Sequence, residues 1–416
     1  MSPDSTQLLP AASWARLGAE PAIDLKALRA YRLEQVRRQL RALDYGGILL
    51  YDPVNIRYAL DTRNMSVWTM HNAVRYAFVA TEGPVVMFDF HGCDHLSEGR
   101  DLITEVRGAK AWFYFGAGAR VEEIAKAWAD ELAELMAAHG GGNRRLAVDK
   151  CDPEGIHYLQ AQGLEIKNGQ SVMEQARLVK SPEELTCLKR SVEVCHAAMS
   201  HMRAALEPGV TENEIWAILN HVNAANDGEW IETRLLTSGP RTNPWFRESS
   251  NREIESGDLL SFDTDMVGPF GYCADISRTY YCGPGKPPGE LRSLYRLAWE
   301  QIHYNIDLLK PGLSYRELTE TAFRLPDSCK ANRYSVVAHG VGMCDEYPSC
   351  YYPEDYAQTG YDGQFLPGHT LCIESYIGEA GGSQGVKLEQ MLLVTETGVE
   401  LLSDFPFEDE LLDRHI

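Results

Sequence analysis

The chain has 416 residues, 44% hydrophobic and 24% charged, the composition of a soluble globular protein too long for one ordinary core. A formal charge of −21 argues against nucleic acid or anionic membrane as partners and leaves a neutral or zwitterionic small molecule as the easier guest. No stretch approaches the ~18 uninterrupted apolar residues of a membrane span. The N-terminus has no signal-peptide pattern, and ten cysteines without CxxC pairs favour a reducing, cytoplasmic setting.

In chain order, residues 1–23 read as a tail or arm. Leu25, Leu28, Leu33, Val36, Leu40 and Leu43 recur near helical spacing, and Gly46-Gly47 ends the helix they predict. Residues 48–51, 76–81, 85–90 and 145–148 read as strands, and about 122–139 as a helix. The alternation predicts a smaller α/β domain over 1–177. Within it Trp68 and His71 fall in an uneven, loop-like segment, either as packing residues or as part of a lid or of a neighbouring subunit's site. Ser181-Pro182-Glu183-Glu184, a capping box with proline at the first helical position, opens a second domain over 178–416. Its first helix runs to about residue 206. Thr211-Glu212-Asn213-Glu214 and Ser314-Tyr315-Arg316-Glu317 repeat the box, and another helix spans about 291–309. Strands are expected over 231–237, 258–266, 272–280, 370–377 and 386–395. Long helices on an antiparallel-rich sheet give an α+β fold.

The stretch 259–280, LLSFDTDMVGPFGYCADISRTY, carries the first chemistry. Asp263 and Asp265 lie two apart in an apolar run that reads as a buried strand, where such residues share a face. Gly268-Pro269-Phe270-Gly271 turns the chain, and a second short strand carries Asp275. A hairpin loop with an odd number of residues puts Asp275 opposite Asp263 on that face. At ~4 Å and an effective dielectric of about 20, each like-charged pair repels by roughly 4 kcal/mol. Protonation, solvation, a salt bridge to Arg278 or a bound cation would each relieve this.

His339, in VVAHGVGMCDEYP, ends a further apolar strand. Glu374 in LCIESYI and Glu389 in GVKLEQMLLV are single acids inside apolar strands, hard to keep charged without a partner. Lys387, on the face of Glu389, could supply an ordinary buried salt bridge. Taken together, Asp263, Asp265, Asp275, His339, Glu374 and Glu389 interrupt five apolar segments. Five oxygen donors and one nitrogen are too many for one structural zinc and suit two divalent ions bridged by shared carboxylates. Such ligation suits iron or manganese, although zinc binds more tightly at a given site.

The order Asp…Asp…His…Glu…Glu, in these contexts, resembles the pita-bread metallohydrolases: methionine aminopeptidase, aminopeptidase P, prolidase and creatinase. YRLEQVRRQLRALDYGGILLYDPVNIRYAL looks like the N-terminal domain of the prolidase and creatinase branch. KSPEELTCLKRSVEVC looks like the start of its catalytic domain, and VKLEQMLLVTETGVELLS like its closing strands. The resemblance implies a pita-bread catalytic domain with Asp263, Asp275, His339, Glu374 and Glu389 as metal ligands. Two departures separate the chain from the peptidases. Their two aspartates stand one position further apart here, with Asp265 as an added donor. Their substrate-handling histidines give way to Phe246 in SGPRTNPWF and, with a one-residue gap, to Asp345.

GEWIETRLLTSGPRTNPWF, SFDTDMVG…DISR and HGVGMCDEYP resemble, more specifically, the metal-dependent dimethylsulfoniopropionate (DMSP) lyases of the DddP type. That resemblance implies iron, a homodimer and cleavage of a small zwitterion to acrylate and dimethyl sulfide by metal-assisted β-elimination. Asp345 is then the expected base, against the plain alternative of a surface acid in a polar loop beside Glu346. Tyr334 is expected to orient the substrate carboxylate or the base, and packing is its plain alternative. Trp245, Phe246 and Trp230 are candidates to hold the sulfonium by cation–π attraction of about 0.5–2 kcal/mol, or else core residues, and Trp68 is a further substrate-binding candidate. An Xaa-Pro peptidase or creatinase-like hydrolase, using Asp345 where others use histidine, is the competing expectation.

Overall fold

A computed structural model describes residues 15–414; most of the expected N-terminal tail, residues 1–14, lies outside the described residues. The chain divides into two compact units, one being Ile23–Glu183 and the other Glu184–Ile416 with the segment before residue 23.

In the Ile23–Glu183 unit, Asp24 caps the helix Leu25–Ala42 by accepting from the backbone N–H groups of Lys26 and Ala27. A six-stranded sheet runs in the order Glu105–Gly108, Val85–Asp89, Tyr76–Ala80, Gly47–Leu50, Arg145–Val148, Glu165–Asn168. Gly47–Leu50 pairs antiparallel with Tyr76–Ala80 and parallel with Arg145–Val148, and the helix Val121–His139 buries Trp128 and Leu132 in the core shared with this sheet. The two edge strands, Glu105–Gly108 and Glu165–Asn168, are half exposed and lack an apolar run that would foreshadow them. Trp68 lies in the short helix Ser66–Thr69, its ring centre 6.0 Å from that of Phe90.

The helix Pro182–Ala205 starts at the boundary, and from Glu184 onward it belongs to the other unit. Both later capping boxes form as expected, Thr211 with Glu214 and Ser314 with Glu317. A five-stranded antiparallel sheet has the order Asp345–Cys350, Ala338–Val341, Thr370–Ile377, Val386–Val394, Val399–Leu401. The helix Gly289–Leu308 lies on its two central strands and shares their core through Tyr295, Ala298 and Ile302. Two three-stranded sheets complete the unit. Helices layered on antiparallel sheets make the unit α+β.

The acidic hairpin departs from the regular strands expected of it. Residues 258–266 form two strands, Leu259–Phe262 and Met266–Val267, and residues 272–280 form Cys273–Ala274 and Arg278–Tyr281. Asp263, Asp265 and Asp275 therefore sit in the breaks. The register is the same on both sides, with Phe262 facing Arg278 and Met266 facing Ala274. Continued through the gap, it sets Asp265 across from Asp275, and Asp263 across from Ser277 rather than across from Asp275. Thr264 bridges the gap with its side chain: the hydroxyl donates to Ala274 O and accepts from Ile276 N, both at 2.9 Å. Asp265 adopts a left-handed φ of 35°. The backbone leaves the pleat where three buried carboxylates turn toward one another.

Candidate metal centre

Three carboxylates come from the broken hairpin. Asp263, Asp265 and Asp275 are buried and offer oxygens within 4.8 Å of one another. The Thr233 hydroxyl donates to Asp265 Oδ2, and the Asp265 backbone N–H donates to Asp275 Oδ1 at 3.3 Å. The five-stranded sheet supplies the remaining groups. Its register slips between His339 and Gly340, a bulge of the kind that re-aims a side chain. A Cβ at Gly340 would lie 2.3 Å from Tyr347 O, so the bulge requires glycine there. Glu374 and Glu389 face each other directly across neighbouring strands, an unfavourable placing for two like charges unless a cation joins them.

These side chains converge on the inner nitrogen of His339. Its Nδ1 lies 3.0 Å from Gly340 O, which leaves Nε2 facing Glu374 Oε1 at 3.2 Å, Asp275 Oδ2 at 3.5 Å and Glu389 Oε1 at 3.5 Å. From the opposite side Lys387 Nζ reaches Glu374 Oε2 at 2.5 Å, Asp263 Oδ2 at 3.0 Å and Glu389 Oε2 at 3.6 Å. Ser277 Oγ donates to Asp263 Oδ1 at 2.5 Å and is within 2.9 Å of Glu389 Oε2. Both glutamates thus turn one oxygen toward Lys387 and the other toward His339.

The electrostatics suit a cation. Burial, then the neighbouring carboxylates, pushes Asp265 and Asp275 well above the usual range. Burial raises Asp263 to about 8, opposed by Lys387. Burial also works against Glu389, yet Lys387 and then His339 hold it well below its ordinary value. Ionised together, the five acids would repel by roughly 4 kcal/mol per pair at ~4 Å, more than one lysine offsets. Glu389 Oε1, buried on the His339 side, has no hydrogen-bond partner, and a divalent ion would satisfy it. His339 agrees with this, because a ligating imidazole commonly directs its other nitrogen to a backbone carbonyl.

All six donors expected from the sequence are brought together. Sequence reasoning missed Cys372, whose sulfur lies within 4.8 Å of donor atoms of Asp275, His339 and Glu389; its place two residues before Glu374, on the same strand face, was the available signal. Ser277 and Thr233 were missed too, and nothing in their local sequence distinguishes them.

The remaining expected residues divide. Asp345 opens the strand Asp345–Cys350, across from Val341, rather than lying in a loop. Its side chain is 43% exposed, with Oδ1 3.9 Å from His339 Nδ1, so it stands at the open rim of a buried centre. Desolvation by the surrounding protein raises its pKa, opposed by His339. Tyr334 presents its ring to Lys387 Nζ at 4.5 Å and stacks on Phe246 with 5.3 Å between ring centres. Burial, followed by Glu374, keeps the Tyr334 phenol protonated far above neutrality. Phe246 is 57% exposed and has a left-handed φ of 68°. Trp245 is buried against Tyr376, and the Trp230 indole donates to Glu232. Trp68 belongs to the Ile23–Glu183 unit, packed on Phe90.

Comparison with known proteins places this geometry. Residues 186–396 match metallopeptidase family M24. The dimethylsulfoniopropionate lyase DddP of Roseovarius nubinhibens is 42% identical over 407 residues, which cover 96% of this chain and 91% of that protein. The chain belongs to the DddP branch of family M24. A second DddP lyase, from Roseobacter denitrificans, is 41% identical and covers 94% of the chain and 88% of its own length. Among solved structures, the dipeptidase PepE of Mycobacterium ulcerans superposes with a TM-score of 0.72 at 20% identity, covering 93% of this chain and 98% of that one. The Xaa-Pro dipeptidase of Bacillus anthracis gives 0.70 at 21% identity, covering 91% and 99%. These likenesses show the pita-bread fold. M24 is a family of divalent-metal enzymes, and the buried donor set fits that chemistry. No helix among the described residues is long and apolar enough to cross a membrane.

Proposed function

We propose that the chain cleaves dimethylsulfoniopropionate to acrylate and dimethyl sulfide, with two divalent cations, iron foremost, held by Asp263, Asp265, Asp275, His339, Glu374 and Glu389. The observation that carries this reading is the kinship with DddP lyases along 96% of the chain. The charge count supports two ions: in the ligating state, with His339 neutral and all five acids ionised, Lys387 offsets one of five negative charges and leaves four. Bound there, the ions would supply a Lewis acid to the substrate carboxylate, spreading the charge that builds up when the α carbon is deprotonated.

The chain's own residues account for the remainder. Asp345 accepts the α-proton from the rim. The C–H electron pair becomes the new C=C bond, and the C–S pair leaves with sulfur as a neutral thioether, so the leaving group needs no acid. Tyr334, kept protonated, donates to a carboxylate and does not compete as the base. Phe246, exposed and stacked on Tyr334, offers an aromatic face to the sulfonium, and Trp230 and Trp245 are the further candidates to hold it. We further propose a cytoplasmic homodimer in which Trp68 lines the neighbouring subunit's site. Light scattering after gel filtration tests the dimer, and Trp68→Ala should then weaken substrate binding without changing metal content. Headspace detection of dimethyl sulfide after adding DMSP to purified, metal-loaded protein tests the activity itself. Silence in that assay, alongside turnover of Xaa-Pro dipeptides, would overturn it.

A further inference from the structure

Lys387 is fully buried, yet the elimination chemistry gives it nothing to do. Its Nζ has five neighbours: Ser277 Oγ at 2.7 Å, Glu374 Oε2 at 2.5 Å, Asp263 Oδ2 at 3.0 Å, Glu389 Oε2 at 3.6 Å and the Tyr334 ring at 4.5 Å. An ammonium in such a setting must be paired, because an isolated buried charge is prohibitively costly. The pairing is asymmetric. Lys387 takes the outer oxygen of each glutamate and leaves the inner oxygen facing His339. Ser277 works with it, fixing Asp263 Oδ1 and Glu389 Oε2.

We infer that Lys387 is a positioning residue, a built-in cation that keeps the donor cluster assembled when its metals are absent and fixes which carboxylate oxygens remain free to bind them. Without Lys387, Glu374 and Glu389 would face each other across the sheet with no positive group between their outer oxygens. With Lys387 in place the cluster is preformed, and the ions enter a site already shaped. Lys387 therefore matters most to the metal-free protein. Two divalent ions make good most of what its removal takes away.

This inference rests on the metal-centre reading, and the test keeps the two apart. Wild-type and Lys387→Met full-length protein are stripped with chelator, and each is melted with and without added Mn²⁺, with bound manganese measured in parallel. Stripped Lys387→Met should melt about 10 °C below the stripped wild type, while the loaded forms should differ by less than half of that. The manganese-induced rise in melting temperature should thus be larger in the variant. Stripped wild type should keep its far-ultraviolet circular dichroism. An equal fall in stripped and loaded forms would reduce Lys387 to a packing role and overturn the inference, as would no fall at all. If Lys387→Met does not fold, Lys387→Arg decides: retaining the charge, it should keep the stripped protein folded, and loss of stripped but not loaded Ser277→Ala stability should accompany it. Stripped Lys387→Arg that unfolds, or stripped wild type that unfolds on chelation, also overturns the inference. Wild type that takes up no manganese would instead defeat the metal-centre reading.

Discussion

Asp345→Asn is the substitution that isolates the proposed base. The side chain keeps its shape and can still hydrogen-bond, but it no longer accepts a proton from carbon. Its consequences for stability and for turnover separate cleanly. Asp345 Oδ1 lies 3.9 Å from the outer nitrogen of His339, and the side chain is 43% exposed. A pair so open to water contributes no more than ~1 kcal/mol, so the melting temperature should move by only a few degrees. The carboxylate is not a member of the three donor groups that could hold an ion, and metal content should be unchanged. Turnover should fall by at least ~100-fold, equivalent to about 2.7 kcal/mol in the barrier. Dimethyl sulfide release, elemental analysis and a melting curve on one preparation read all three quantities. Substrate deuterated at the α carbon adds a check, since proton removal shows a primary isotope effect wherever it limits the rate. An Asn variant with near-normal turnover and full metal content refutes the assignment. Lost turnover accompanied by lost metal would make Asp345 a support of the centre instead.

Asp265→Ala should reduce the retained metal by about one ion per chain while leaving the fold intact, as elemental analysis and circular dichroism would show; full retention of both ions would remove Asp265 from the ligand set. Xaa-Pro dipeptides and creatine should be turned over poorly or not at all, because Phe246 and Asp345 stand where the related peptidases keep histidines; efficient hydrolysis of either would favour the hydrolase reading. Acid should weaken the fold through His196, whose imidazole is held down to about 4 by burial, opposed by Asp404. The unfolded chain takes up that proton near pH 6.5, but the folded chain does so only near 4. The contribution is therefore present above 6.5 and drains away as the pH falls to 4, at up to ~1.4 kcal/mol per unit. Urea midpoints across this window should fall less steeply in His196→Gln, and an unchanged slope would remove His196 from the account.

The candidate donors were legible because an ionisable group in an apolar strand is expensive, and six such interruptions, five acids and a histidine, share one explanation. The path of the backbone around them was not. Residues 258–266 read as one strand because the apolar pattern runs through Asp263 and Asp265, whereas the strand breaks where these two meet Asp275, which lies across a turn. The side-chain bridge of Thr264 is likewise invisible to periodicity. Lys387 could be read from sequence as a partner for Glu389, but only the folded chain brings it to Glu374 and Asp263 as well. The aromatic candidates separated for a similar reason. Trp245 and Phe246 are neighbours in sequence, yet one is buried and the other exposed, a difference set by a backbone turn that composition does not announce.

That turn has a bearing on protein engineering. A phenylalanine in left-handed backbone carries strain on the order of 1–3 kcal/mol, and its ring at position 246 is largely open to water. Glycine would be more comfortable there on both counts. A library screened only for thermal endurance would accordingly drift toward glycine at 246 and would be rewarded for it. It would also discard the ring that stacks on Tyr334, so that, if the proposed sulfonium-binding role of Phe246 holds, selection for durability and selection for catalysis would part company at a single codon.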